Sequence, residues 1–109
     1  MVLPLFKEKR LDVRTKLTGL LPGRIRDSLG RGVSARPVNV SKGGMGIVTK
    51  NILEVGTELV LQVGKLDVVM VVKWVEPDFA KHNILRYGLM VQDGTIDLEQ
   101  IFLDSGCIC

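Results

Sequence analysis

The sequence predicts an all-β domain: a small antiparallel β-barrel of six or seven strands with a short C-terminal helix. Three observations lead there. Apolar and polar residues alternate over short runs, as in Leu59, Leu61 and Val63 and again in Leu85, Tyr87, Leu89 and Val91, which is the period of a strand with one buried face. Turn-forming residues separate those runs at Pro22 and Gly23, at Gly30, at Gly64 and Lys65, and at Asp93 and Gly94, so the strands follow one another by tight reversals. A helical stripe occurs only once, at the end. At 109 residues, the chain is sized for one core.

Taken in order, Met1–Phe6 is apolar but short and runs into Lys7-Glu8-Lys9-Arg10. Lys16–Leu21 and Arg24–Asp27 are strand candidates on either side of Pro22-Gly23, and Ser28-Leu29-Gly30 breaks the second. Gly32–Val40 is extended, with Val33 out of phase with Val38 and Val40; Pro37 has no N–H to donate, which places this strand at a sheet edge. Gly46–Thr49 is a short strand, Leu53–Gly56 a turn, and Glu58–Val63 a strand that reverses at Gly64 and Lys65. Leu66–Val75 is the longest strand candidate. Val68, Met70, Val72 and Trp74 take one face and Val69, Val71 and Val75 the other, the mark of a strand buried on both sides. Glu76–Asn83 is a polar loop with an exposed His82, and Leu85–Gln92 closes the sheet. Thr95–Leu103 is predicted helical, its stripe Ile96, Gln100 and Leu103 with Leu98, Ile101 and Phe102 nearby, capping one opening of the barrel.

Composition narrows the function classes. Hydrophobic residues make up 46% and charged residues 25%, ordinary for a soluble domain. The longest apolar run, Val68–Val72, is far too short to span a membrane. The first ten residues lack the charge order of a signal peptide, so a cytoplasmic location is expected. The net charge of +3 is unevenly spread: residues 1–36 carry nine basic and three acidic residues, residues 37–109 six and nine. An anion therefore meets the N-terminal third first. Cys107 and Cys109 are the only cysteines and His82 the only histidine, which supports neither a disulfide framework nor a zinc site. No nucleophile–base pair or acidic dyad is evident, so no enzymatic activity is expected.

Two stretches carry recognition chemistry. Arg10 and Arg14 are four residues apart and share a side whether the segment is helical or extended. Arginine offers a rigid fork of donors suited to phosphate oxygens and to guanine O6 and N7; the plainer reading is a solvated basic terminus. Asn39 and Ser41 share one face of an extended chain while Val40 takes the other. Gly43, Gly44 and Gly46 follow, permitting positive φ and close approach of a ligand to the backbone; the plainer reading here is a polar turn.

In this order, Arg10-Leu-Asp-Val-Arg14 and then Asn39-Val-Ser41-Lys-Gly-Gly44 resemble the two-part signature of PilZ domains, Arg-x-x-x-Arg followed by Asp/Asn-x-Ser-x-x-Gly. The resemblance extends over roughly residues 7–95, through Leu53–Val63, the Val71–Val75 strand with Trp74, and Tyr87-Gly88-Leu89-Met90-Val91. It implies a bacterial receptor for the second messenger cyclic di-GMP, acting in motility, biofilm or exopolysaccharide control, with no other cofactor. By the same resemblance, Arg10 and Arg14 hold guanine edges and phosphates, Asn39 and Ser41 the remaining guanine edge or sugar, and Gly44 leaves room for the base; Gly43 beside it is expected among the ligand-binding residues. Many family members take the ligand as an intercalated dimer and pass the signal to a downstream protein. The expected organisation is a flexible switch at residues 1–15, the barrel and helix at 16–104 and a mobile tail at 105–109. The ending Gly106-Cys-Ile-Cys109 resembles a double-cysteine lipidation tail, but reads as a mobile tail with two reactive thiols. Asparagine, where aspartate is commoner, has no charge to offer guanine N1–H and N2–H2, so Asn39→Asp is expected to tighten binding modestly.

Two other readings compete with this one. A ligand-independent PilZ adaptor, working through protein contacts, tends to lose the arginines or the Asn/Asp-x-Ser pair, and this chain keeps both. A nucleic-acid-binding barrel calls for exposed aromatic residues, and only five aromatics are present, most of them within strand or helix patterns.

Overall fold

The structure, a computed structural model, describes residues 17–77 and 84–108. Strands β1 (Arg24–Asp27), β2 (Gly32–Val33), β3 (Ala35–Ser41), β4 (Gly44–Thr49), β5 (Glu58–Val63), β6 (Leu66–Pro77) and β7 (Leu85–Val91) precede one helix, α1 (Leu98–Asp104). The strands form a single antiparallel sheet in the order β2-β1-β5-β6-β7-β4-β3. Its two edge strands, β2 and β3, are separated in sequence by Ser34 alone. Two Cα steps span at most about 8 Å, so the sheet has to curl until its edges nearly meet, giving a half-barrel. The out-of-phase Val33 marks the point where the chain crosses from one edge to the other, and Pro37 sits on the edge strand as its missing donor requires.

Inward-facing residues of six strands make the core. Ile47, Leu59, Leu61, Val68, Met70, Val72 and Tyr87 are fully enclosed, each side chain contributing about 1.5–3 kcal/mol by leaving water. The Tyr87 hydroxyl donates to Asn51 O (3.1 Å) and accepts from Leu53 N (2.9 Å), tying the β4–β5 connection to the barrel. Gly64, at φ +59°, makes the reversal between β5 and β6.

The helix starts at Leu98, later than Thr95. Asp93 accepts from Thr95 N in a local turn (2.9 Å), and Asp97 caps the helix by accepting from Gln100 N (3.1 Å). The buried side chains are Leu98 and Phe102, whereas Gln100 and Leu103 face outward. Of the expected stripe only Ile96 packs against the core; the helix instead turns Leu98 and Phe102 inward, with Ile101 partly buried beside them.

Other expectations shift for identifiable reasons. Residues 17–21 contribute an isolated antiparallel bridge, Leu17 to Ile108, rather than a sheet strand. Thr18 donates to Cys107 O through its amide (3.0 Å) and its hydroxyl (3.2 Å). Within the segment expected as a mobile tail, Cys107 and Ile108 are buried, whereas Ser105 and Gly106 are exposed. Burial also pushes the Cys107 thiol above its ordinary pKa, the opposite of a reactive cysteine. Strand β6 extends to Pro77, into the expected polar loop, while His82 lies outside the described residues.

Candidate functional site

Strands β6, β7, β4 and β3 are neighbours in the sheet, and their outward positions build one surface. Ser41 pairs with Gly44 and Asn39 with Gly46; across the next seam, Gly44 pairs with Met90 and Gly46 with Gly88. Gly88 in turn pairs with Trp74. Three glycines therefore form the floor of a shallow trough of about 360 Å³, with Asn39 and Ser41 on one wall and Lys73, Trp74 and Met90 on the other. Side chains on that floor are excluded by what lies beside it. A Cβ on Gly44 would sit 2.3 Å from Leu89 O, one on Gly46 3.0 Å from the Asn39 amide, and one on Gly88 2.1 Å from the Trp74 indole.

Position along a strand does not by itself bring Asn39 and Trp74 to this surface. The β3–β4 register shifts between Pro37 and Asn39, and the β6–β7 register between Val72 and Trp74. Each shift is a bulge that inserts one extra residue and reverses which face the following residues take. Pro37 and Val72 are buried, whereas Asn39 and Trp74 are exposed. Trp74, expected inside with Val68, Met70 and Val72, is thereby turned outward. Its indole rests against Gly88 and remains 43% exposed, leaving an aromatic surface beside the trough.

The Asn39–Gly44 hairpin is held firmly. Its turn carbonyls accept from Leu98 N at Lys42 and from Val91 N at Gly43, both at 2.9 Å, so α1 and β7 brace the turn together. Asn39 Oδ1 accepts from Gly46 N at 2.8 Å, and the Ser41 hydroxyl donates to Gly44 O at 3.3 Å. With its proton directed inward, Ser41 keeps its lone pairs for donors on a ligand.

The structure brings Asn39, Ser41, Gly43 and Gly44 together on the trough. Arg10 and Arg14 lie outside the described residues. In the chain that follows them, Gly19 lies against the end of the Arg36 side chain, where a Cβ would meet Nη2 at 3.1 Å. Close approach explains Gly44 and Gly46, but neither they nor Gly43 adopts positive φ, and Gly43 has open space beside it. The sequence reading missed Trp74, Gly88 and Met90 as trough residues. A signal existed for Gly88: glycine inside a strand often marks a close approach, here that of the indole.

Among the described residues no group of His, Cys, Asp and Glu side chains is placed to hold a metal, and no helix is long and apolar enough to cross a membrane. Comparison with curated proteins and with solved structures returned no match. The family model described as PilZ domain matches residues 7–104, nearly the whole chain and both halves of the arginine and asparagine–serine signature, and the chain therefore belongs to the PilZ domain family.

Proposed function

We propose that this protein is a cytoplasmic, non-enzymatic receptor for cyclic di-GMP, in which ligand binding draws the N-terminal arginine segment onto the trough. Membership of the family makes it a binding or adaptor domain of signalling. The observation that carries the receptor reading is the trough itself: a glycine floor, hydrogen-bonding groups on one wall and an aromatic surface on the other. This is the shape and chemistry of a slot for a flat, polar base, and base–aromatic stacking is worth about 1–3 kcal/mol.

The arginines supply what the trough lacks. Arg14 is three residues before Leu17, an extended reach of about 10 Å before its own side chain is counted. A guanidinium on that arm suits phosphates or the outer face of a base held in the trough. The ordered arm then changes the surface presented to a downstream protein.

Calorimetric titration with cyclic di-GMP tests this. The native chain should bind, and Arg14→Ala should lose about 10- to 150-fold in affinity, corresponding to a charge-assisted contact of about 1.5–3 kcal/mol. No heat from the native chain would favour the ligand-independent adaptor. Equal binding by both would remove the arginine pair from the site.

A further inference from the structure

The trough takes up only one end of the β3–β4 hairpin. Towards the other end lies a separate and larger groove of about 540 Å³, whose lining includes Arg36, Val38, Val48, Lys50, Asn51 and Ile84. No residue lines both. Strand register explains its make-up. Arg36 pairs with Val48 on β4, and Val48 with Arg86 on β7, so one outward row sets an apolar side chain between two cations. Val38, at the β3 bulge, and Ile84, just before β7, add apolar surface and are half-buried. Ile52, next in the chain after Asn51, is 85% exposed.

The lining residues are apolar, neutral or basic, with no carboxylate among them. Glu76 belongs to the same row but stands two strands from Val48, on the far side of Arg86. The Arg36 and Lys50 side chains are exposed and make no ion pair or hydrogen bond among the described residues. Unpaired cations beside an apolar floor suit an occupant that brings carboxylates and an apolar side chain together.

We infer that this groove docks the downstream protein, through a short acidic segment whose aliphatic side chain seats on Val38, Val48 and Ile84. The inference deepens the reading above, which calls for a downstream protein, and holds for a ligand-independent adaptor as well. Nucleic acid is the poorer occupant, because no aromatic residue lines the groove for base stacking. The segment contributes side chains rather than an added strand, since Pro37 removes a donor from the β3 edge.

Heteronuclear NMR of the full chain tests this with a defined probe, a hexapeptide of two leucines flanked on each side by two glutamates. Amide shifts should be largest at Val38, Val48, Lys50 and Ile84 and small at Gly44, Gly46 and Gly88 of the trough. Lys50→Glu should weaken the peptide about fivefold while leaving cyclic di-GMP affinity within about twofold of native. Serine in place of both leucines should abolish the groove shifts. Shifts that miss the groove, centre on the trough or survive the serine replacement overturn the inference. So does a Lys50→Glu chain that binds the peptide as the native chain does, or that loses affinity for cyclic di-GMP. Other occupants have their own signatures, each of which also overturns it: groove shifts produced by a single-stranded oligonucleotide but not by the peptide, by dilution of the protein alone, or by Leu5→Ser with Phe6→Ser in the absence of peptide. Calorimetry with cyclic di-GMP on the same samples separates the two readings. Groove shifts without ligand heat overturn the receptor reading alone, and ligand heat without groove shifts overturns this inference alone.

Discussion

Gly88→Ala separates the role of the trough from the stability of the barrel. The new Cβ would lie 2.1 Å from Cε2 and Nε1 of Trp74. Comfortable carbon contacts begin at about 3.5 Å, so the indole must retreat by roughly 1.4 Å or leave its seat altogether. It is free to do so, because the ring is 43% exposed and hangs from a side chain rather than from β7 itself. The stability cost should be about 1 kcal/mol, since the apolar face of the ring no longer packs against the strand, or roughly 4–8 °C in Tm. The binding cost should be larger. Losing one base–aromatic stack removes about 1–3 kcal/mol, a weakening of roughly 5- to 150-fold. Trp74 is the only tryptophan, so its emission reports the seat directly: ligand should perturb the spectrum in the native chain and do so less in the variant. Calorimetry supplies the affinity and differential scanning fluorimetry the Tm. Native-like affinity in a variant whose spectrum shows the indole displaced would refute the assignment of Trp74 to the site.

The neighbouring glycine should behave in the opposite way. Gly44→Ala places a Cβ 2.3 Å from Leu89 O, a backbone atom of β7, so relief requires opening the β4–β7 pairing; a loss of about 1–3 kcal/mol in stability is expected from chemical denaturation. Tyr87→Phe should cost about 1–3 kcal/mol in the same assay, because the buried hydroxyl is replaced and Leu53 N loses its acceptor. The Asp27 carboxyl is held below its ordinary pKa by the Arg31 backbone N–H, opposed by desolvation and aided by the Leu29 N–H and the Arg31 side chain. A lowered folded-state pKa stabilises above the unfolded value, near 4, and that contribution is lost as pH falls through the lowered one. Asp27→Asn should therefore flatten the acid limb of a Tm-against-pH curve below about pH 4, and an unchanged limb would remove Asp27 from that account.

Much of the fold was legible because it depends on period and punctuation. The alternation in Glu58–Val63 and Leu85–Val91, the glycine reversal at Gly64 and the proline on an edge strand are local signals, and each reappears in the structure. The helix phase was less legible: the apolar residues Leu98, Ile101 and Phe102 turn inward, whereas Gln100 and Leu103 of the expected stripe do not. The pairing of Leu17 with Ile108 was not legible at all: it joins residues 91 apart by sequence number through a single bridge with no alternation to announce it. At the site, Asn39, Ser41 and Gly44 were found by residue type and spacing, while Trp74 was assigned to the wrong face because a strict two-residue period carries it inward with Val72.

That error and the placement of Asn39 have the same physical origin. Two strands in the middle of the trough, β4 and β7, keep regular pairing and contribute the glycine floor. The strands on either side, β3 and β6, each take up one extra residue immediately before the group that faces the ligand space. Without the extra residue, Asn39 would follow Pro37 inward and Trp74 would follow Val72, and burying either would cost the core an unsatisfied amide or an indole it has no volume for. The bulges thus let one continuous strand fill the core at one end and present recognition chemistry at the other. A bulge leaves little trace in apolar periodicity, because what it changes is register against a neighbour, so the walls of this trough are set by strand pairing while its floor is set by residue type.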